Sequence, residues 1–244
     1  MAAVTLLSTE SLSKHFGGLT AVDGVSFTFL QGEVRALIGP NGAGKTTFVN
    51  LLSGRIPPSS GRVIFAGEDI TRLPAHTRVN RGIAYTFQIT STFTGMSALE
   101  NVKLACQHQL SKGFFGPDLD VLERASLSAL ERVGLADRRD EIAGNLSYGH
   151  QRLLEVAMGL GLAPKLLILD EPTQGLADEE IAVFVALVRE IALNASVLLI
   201  EHNMDVVMGV ADTITVLDRG RILAEGTPEE IRQNEAVRRA YLGN

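Results

Sequence analysis

Cysteine is almost absent: Cys106 is the single thiol in 244 residues. One thiol can neither close an internal disulfide nor supply a cysteine metal cluster, which suits a reducing compartment. Its expected place is that of a small buried hydrophobe on a helix. No uninterrupted apolar run reaches the roughly 18 residues that a bilayer-spanning helix requires. Residues 1–10 are short, mixed and without a cleavage signal, so no secretory leader is expected and any membrane role should come through a partner. Basic residues are in the minority. With 22 Lys and Arg against 28 Asp and Glu, the net charge is −6. This argues against a dominant nucleic-acid surface, which needs clustered cations to displace counterions from phosphate. Neither internal repeats nor low-complexity tracts occur. The 45% hydrophobic content is enough for one globular unit, or two closely joined lobes, around a substantial core.

The most informative stretch is Gly39-Pro40-Asn41-Gly42-Ala43-Gly44-Lys45-Thr46-Thr47, between the apolar run 34–38 and the helix-like run 48–52. It fits G-x-x-x-x-G-K-[ST], in which glycines let the backbone curl so that successive N–H groups cradle phosphate oxygens at a helix start. Lys45 would reach the β- and γ-phosphates and Thr46 would hold Mg²⁺. Gly39, Asn41, Gly42, Ala43, Gly44, Lys45, Thr46 and Thr47 are therefore candidate nucleotide-binding residues. Upstream, Phe16 offers an aromatic face on which adenine could stack; a lone Phe is more often core, but the phosphate loop downstream makes stacking the expectation and Phe16 a further candidate nucleotide-binding residue.

Taken in order, residues 4–12 and 22–29 predict short antiparallel strands, and 62–66 and 82–87 two more. From 97 to 161 the spacing turns helical, with predicted helices over 97–109 and 118–133 separated by the Gly- and Phe-rich stretch 111–117. The continuous apolar run 166–169 ends in Asp170 and Glu171, as a central parallel strand should look. A helix over 178–193, strands over 196–200, 213–217 and 221–224, a short helix over 204–210 and a last helix from Pro228 towards Tyr241 complete the reading. An α/β core with an inserted helical lobe follows. In a phosphate-loop protein, an acid closing a buried strand holds Mg²⁺ through its water shell, which assigns Asp170, and Glu171 can act as general base on the attacking water. Two adjacent acids at a strand end could also simply be solvated.

Leu146-Ser147-Tyr148-Gly149-His150-Gln151-Arg152 resembles the signature sequence of ABC-type ATPases, usually written LSGGQ. In the same order, 39–47 matches the Walker A loop, Gln88 the Q-loop, 166–170 the Walker B strand, Glu171 the catalytic glutamate and His202 the switch histidine. The chain is identified as a member of that family over essentially its whole length. The resemblance implies a RecA-like P-loop NTPase core (1–90 and 163–244), with an antiparallel β subdomain and an α-helical subdomain inserted at about 91–162. It implies ATP and Mg²⁺ as ligands, with Thr46, Gln88 and Asp170 on the metal, Gln88 also touching the attacking water, and His202 sensing the γ-phosphate. It further implies a head-to-tail pair of ATPase subunits, in which Ser147 and Gly149 of one meet the ATP held by the Walker A loop of the other.

Within the family the chain looks most like the ATPase subunit of branched-chain amino-acid importers, on the stretches 16–22, 146–149, 199–208 and 225–243. That likeness implies transmembrane permease subunits and a second ATPase subunit, either another copy or, as the preferred expectation, a paralogue. A periplasmic or extracellular substrate-binding protein would act indirectly. The implied place is peripheral, on the cytoplasmic face of the plasma (inner) membrane, with no nucleic acid. Close relatives serve urea, other amides or lipopolysaccharide export, which stand as alternatives. A soluble family member acting on ribosomes or DNA would carry two cassettes or long coiled coils. Three positions depart from the family pattern: Tyr85 where relatives commonly carry Arg, His150 in place of the signature Gln, and Ala177 at the position normally Asp or Asn, with Asp178 one place later.

Overall fold

A computed structural model describes residues 4–86, 92–110 and 117–242. The elements run β1 (Thr5–Phe16), β2 (Leu19–Leu30), β3 (Val34–Ile38), α1 (Lys45–Ser53), β4 (Ser60–Phe65), β5 (Glu68–Asp69), α2 (Ala75–Asn80) and β6 (Ile83–Tyr85). The helical stretch supplies α3 (Ala98–Leu110), α4 (Leu119–Arg132) and α5 (Tyr148–Gly161). Then come β7 (Leu166–Asp170), α6 (Asp178–Ala192), β8 (Ser196–Ile200), α7 (Met204–Val210), β9 (Thr213–Asp218), β10 (Arg221–Gly226), α8 (Pro228–Gln233) and α9 (Glu235–Leu242).

Two sheets form. One has the order β2-β1-β4-β5 and is antiparallel; the other has the order β10-β9-β3-β8-β7-β6. In the second, neighbours from β9 to β6 pair in parallel, and only β10 on β9 is antiparallel. All residues of β3, β7 and β8 are buried, as expected of parallel strands covered on both faces. Alternation sends their side chains to different cores. Leu167 and Leu169 of β7, with Val197 and Leu199 of β8, join a cluster shared with α3, α4, α5 and α6. Leu166, Ile168, Leu198 and Ile200 face the other way, toward α1 and the phenylalanines of the antiparallel sheet. There Phe27 meets Phe48 edge-on at 5.4 Å. The helices after β6 thus cover one face, while α1 and the antiparallel sheet cover the other.

Several sequence expectations change. The first two strands are twelve residues each, extended past the short runs at 4–12 and 22–29 because Lys14, His15 and Phe16 pair with Val22, Thr20 and Leu19. Ladder bonds across a tight hairpin override the weak local pattern. The expected last helix is two helices, since the Asn234 side chain accepts from Ala236 and Val237 N–H at 2.9 and 3.1 Å and restarts the chain. β6 ends at Tyr85, short of the strand expected over 82–87, whose residue 87 lies outside the described residues. The helix α2 had no distinct signal in the sequence. Its Arg78 is buried and donates to the carbonyls of Leu51, Leu52, Thr71 and Leu73 at 2.8 to 3.0 Å. This guanidinium satisfies the orphan carbonyls at the end of α1.

Candidate active site

β3 delivers the chain to Gly39, whose φ is 154° and whose Cβ position lies 2.2 Å from the Leu217 carbonyl oxygen. Gly44, at φ 100°, brings the same position within 2.3 Å of the Ala21 carbonyl. Any side chain at either place would wedge the loop off β9 or off the first hairpin. The loop is further pinned by Gly220 N–H on Ala43 O at 2.9 Å. In α1 the first internal bond runs from Phe48 N–H to Gly44 O, 2.8 Å. The N–H groups of Lys45, Thr46 and Thr47 belong to the first turn, which has no helical carbonyl before it and carries the positive end of the helix dipole. Lys45 is 7% exposed and its ammonium donates to Gly39 O and Pro40 O at 2.6 and 3.2 Å. Burial lowers its pKa, while Glu171 and Asp170 pull it back up.

The acids arrive on β7. Asp170 is 3% exposed, and its Oδ2 accepts from the Tyr85 hydroxyl of β6 at 2.7 Å. Burial raises its pKa, the Tyr85 bond opposes that, and the neighbouring Glu171 adds to it. Glu171 sits at φ 50°, a left-handed conformation that a non-glycine residue holds only when its surroundings enforce it. One enforcing contact is its N–H on Ile200 O at 2.9 Å. Its carboxylate meets His202 Nε2 at 2.7 Å.

These groups share one cleft of about 350 Å³, lined by 41–47, Asp170, Glu171, Ile200, His202 and residues 19–21 of the first hairpin. A helix start with outward N–H groups and an ammonium can bind a polyphosphate, and the adjacent carboxylates can hold a divalent cation beside it. The family described as ABC transporter matches residues 22–174. The chain belongs to the ABC transporter family. The description "Branched-chain amino acid ATP-binding cassette transporter" matches residues 221–244 as well. Among curated relatives, the high-affinity branched-chain amino acid transport ATP-binding protein LivG of Escherichia coli K12 is 41% identical over 250 residues, covering 98% of each chain. The lipopolysaccharide export system ATP-binding protein LptB of the same organism is 33% identical, covering 97% of each. Of solved structures, the ADP conformation of MJ1267, an ATP-binding cassette of an ABC transporter, superposes with TM-score 0.87 at 32% identity, covering 99% of this chain and all of that one.

As an ABC ATPase the chain shows a division of its motifs. Asn41 to Thr47, Asp170, Glu171 and His202 meet in the cleft. The signature residues Ser147 and Gly149 do not line it. Ser147 caps α5 by accepting from His150 N–H at 3.2 Å. Gly149 is packed so closely that a Cβ would stand 2.8 Å from Leu176 and 2.9 Å from Gly175 O. Phe16 lies outside the cleft lining, 49% exposed at the hairpin turn, with the Lys14 ammonium 5.1 Å from its ring centre. Gln88 lies outside the described residues. For a hard divalent ion the available ligands are oxygens, the Thr46 hydroxyl and the Asp170 carboxylate, which suits Mg²⁺.

The three departures acquire surroundings. Tyr85 reaches Asp170, as above, and lies beneath Arg55, whose guanidinium carbon is 5.8 Å from the ring centre. His150 Nε2 approaches Glu180 Oε1 at 3.4 Å, which links the signature helix to the first turn of α6. The same Glu180 accepts from Ala177 N–H at 2.7 Å, so α6 is capped by its own third residue, with no help from a side chain at 177. Sequence reasoning missed the Tyr85–Asp170 bond. An aromatic hydroxyl at the end of a strand beside β7 was its only local signal.

Proposed function

We propose that this ATPase is the motor subunit of an importer for branched-chain or related amino acids, and that Glu171 is its general base. The observation that carries the chemistry is the 2.7 Å contact between Glu171 Oε1 and His202 Nε2 at the cleft that also holds Lys45. A carboxylate so oriented can take the proton of a water attacking the γ-phosphorus. Lys45 and the first turn of α1 bind and neutralise the phosphate oxygens, and His202 orients Glu171 and senses the γ-phosphate. Thr46 and Asp170 would hold Mg²⁺, which would supply positive charge to offset that of the phosphate oxygens. Ser147 and Gly149 lie outside the cleft and are assigned to the ATP of a second subunit, where the start of α5 meets the γ-phosphate. That arrangement makes ATP the glue of a pair and hydrolysis its release. The amino-acid reading is supported by the match over 221–244 and by the greater likeness to LivG than to LptB.

The test uses Glu171→Gln, expected to bind ATP and to lose roughly 10²–10⁴-fold in turnover; turnover equal to wild type refutes the assignment. The tagged variant, recovered with ATP from solubilised membranes of its own cell, is expected to bring two polytopic permease subunits and a second ATPase. Recovery of a lipid-extraction complex, or of ribosomes without membrane protein, overturns the importer reading and leaves the ATPase chemistry standing.

A further inference from the structure

Glu201 is a carboxylate that the proposed mechanism does not use. It follows β8 directly, is 4% exposed, and does not line the cleft. Its Oε1 accepts from the Thr173 N–H at 3.1 Å and from the Thr173 hydroxyl at 2.5 Å. Its Oε2 accepts from the N–H groups of His202 and Asn203 at 2.9 and 3.2 Å. Two oxygens offer about four lone-pair directions, and all four are filled. One buried side chain therefore ties the segment two residues beyond Glu171 to the residue that orients Glu171.

Isolated from solvent and saturated, Glu201 is not placed to take a proton from water in the cleft. What it does control is the relation of two loops. The loop after β7 leaves Asp170 through Glu171 at a left-handed φ, and the loop after β8 leaves Ile200 through His202. They are joined by Glu171 N–H on Ile200 O and by the Glu171–His202 side-chain contact. Glu201 supplies the third tie. Asn203, held by the same carboxylate, caps α7 by accepting from Asp205 and Val206 N–H at 3.0 and 3.3 Å, which anchors the histidine loop to a helix.

We propose that Glu201 is a positioning residue that sets the distance between Glu171 and His202 by clamping Thr173 to the histidine loop. The inference rests on the reading of Glu171 and His202 as the hydrolytic pair. Glu201→Gln is the sharpest perturbation because it keeps size and shape. Its amide carries two donors, and whichever side they occupy they confront N–H or O–H donors, so half the clamp is lost.

The full-length protein is assayed for steady-state ATP hydrolysis and, separately, for binding of a fluorescent ATP analogue. Glu201→Gln is expected to lower kcat roughly 10- to 100-fold, the scale of an ångström-sized misplacement. Analogue affinity should change less than about threefold, since Lys45 and the phosphate loop are untouched. In a His202→Ala background the same substitution should add less than about twofold, because its effect runs through that histidine. Thr173→Val should lower kcat in the same way, and Thr173→Ser, which keeps the hydroxyl, should restore it. These threonine variants decide the question if Glu201→Gln does not fold. The proposal is overturned by wild-type kcat in Glu201→Gln, by a fully multiplicative loss in the double variant, or by a loss of affinity as large as the loss of kcat. Glu171→Gln and His202→Ala run alongside: if both turn over at the wild-type rate, the hydrolytic-pair reading fails, and the proposal falls with it. If both are slow and the Glu201 and Thr173 variants are not, only the clamp is refuted.

Discussion

Tyr85→Phe removes the oxygen that donates to Asp170 from behind the cleft lining and should show what that bond contributes to a buried carboxylate. The Tyr85 hydroxyl donates to Asp170 Oδ2 at 2.7 Å, and Asp170 is 3% exposed. A hydrogen bond to a charged group contributes roughly 1.5–3 kcal/mol, against about 0.5–1.5 kcal/mol for a neutral pair. At neutral pH the variant should therefore lose about 1.5–3 kcal/mol of stability. In a chain of this size each kcal/mol moves Tm by roughly 2–4 °C, so a fall of about 3–12 °C is expected. The pH dependence follows from the sign of the shift. Burial raises the Asp170 pKa and the tyrosine bond lowers it. The bond's contribution is thus present where Asp170 is ionised and fades as pH falls through its titration, which the net upward shift places above the ordinary Asp value of about 3.9. Equilibrium urea unfolding of wild type and variant, with chelator present and between pH 8 and the lowest pH at which both fold, checks this. An unchanged midpoint at pH 7, or a loss that stays constant as pH falls, would refute the reasoning.

Lys45→Ala removes the one side-chain cation of the phosphate loop, and ATP affinity should fall at least about 10-fold, the effect of roughly 1.4 kcal/mol; isothermal titration showing retained tight binding would contradict the assignment. Arg78→Met keeps an apolar stem but leaves the carbonyls of Leu51, Leu52, Thr71 and Leu73 without their guanidinium. At a cost of about 1–3 kcal/mol for each buried group left unsatisfied, we expect a loss of about 4 kcal/mol or more, read as a lower urea midpoint. A midpoint within error of wild type would mean that the end of α1 does not depend on Arg78.

Much of the catalytic core could be read from local pattern. The glycine loop announced itself because its backbone geometry is encoded in consecutive residues, with glycine at the two places, 39 and 44, where a Cβ would strike a neighbouring strand. β7 and β8 were evident as unbroken apolar runs because both of their faces are buried. The helices over 98–110 and 119–132 followed from a repeating apolar stripe. What escaped were contacts between segments far apart in the chain. Asp170 and Tyr85 are 85 positions apart, Thr173 and Glu201 28 apart, and nothing in either local sequence states that β6 lies beside β7 or that β8 lies on its other side.

The sequence by itself determined that a phosphate loop feeds a helix, that two acids end a buried strand, and that a signature and a histidine follow in the order of an ABC ATPase. Those features depend on neighbours within a few residues, whose conformational preferences act before any fold exists. Only the tertiary structure decided that Asp170 accepts a hydrogen bond from Tyr85, that Glu171 is held at φ 50° against His202, and that Glu201 is enclosed by four donors. Each of these depends on strand order and register in the parallel sheet, where pairing Asp170 with Ile200 brings the ends of two strands together and buries the groups between them away from water.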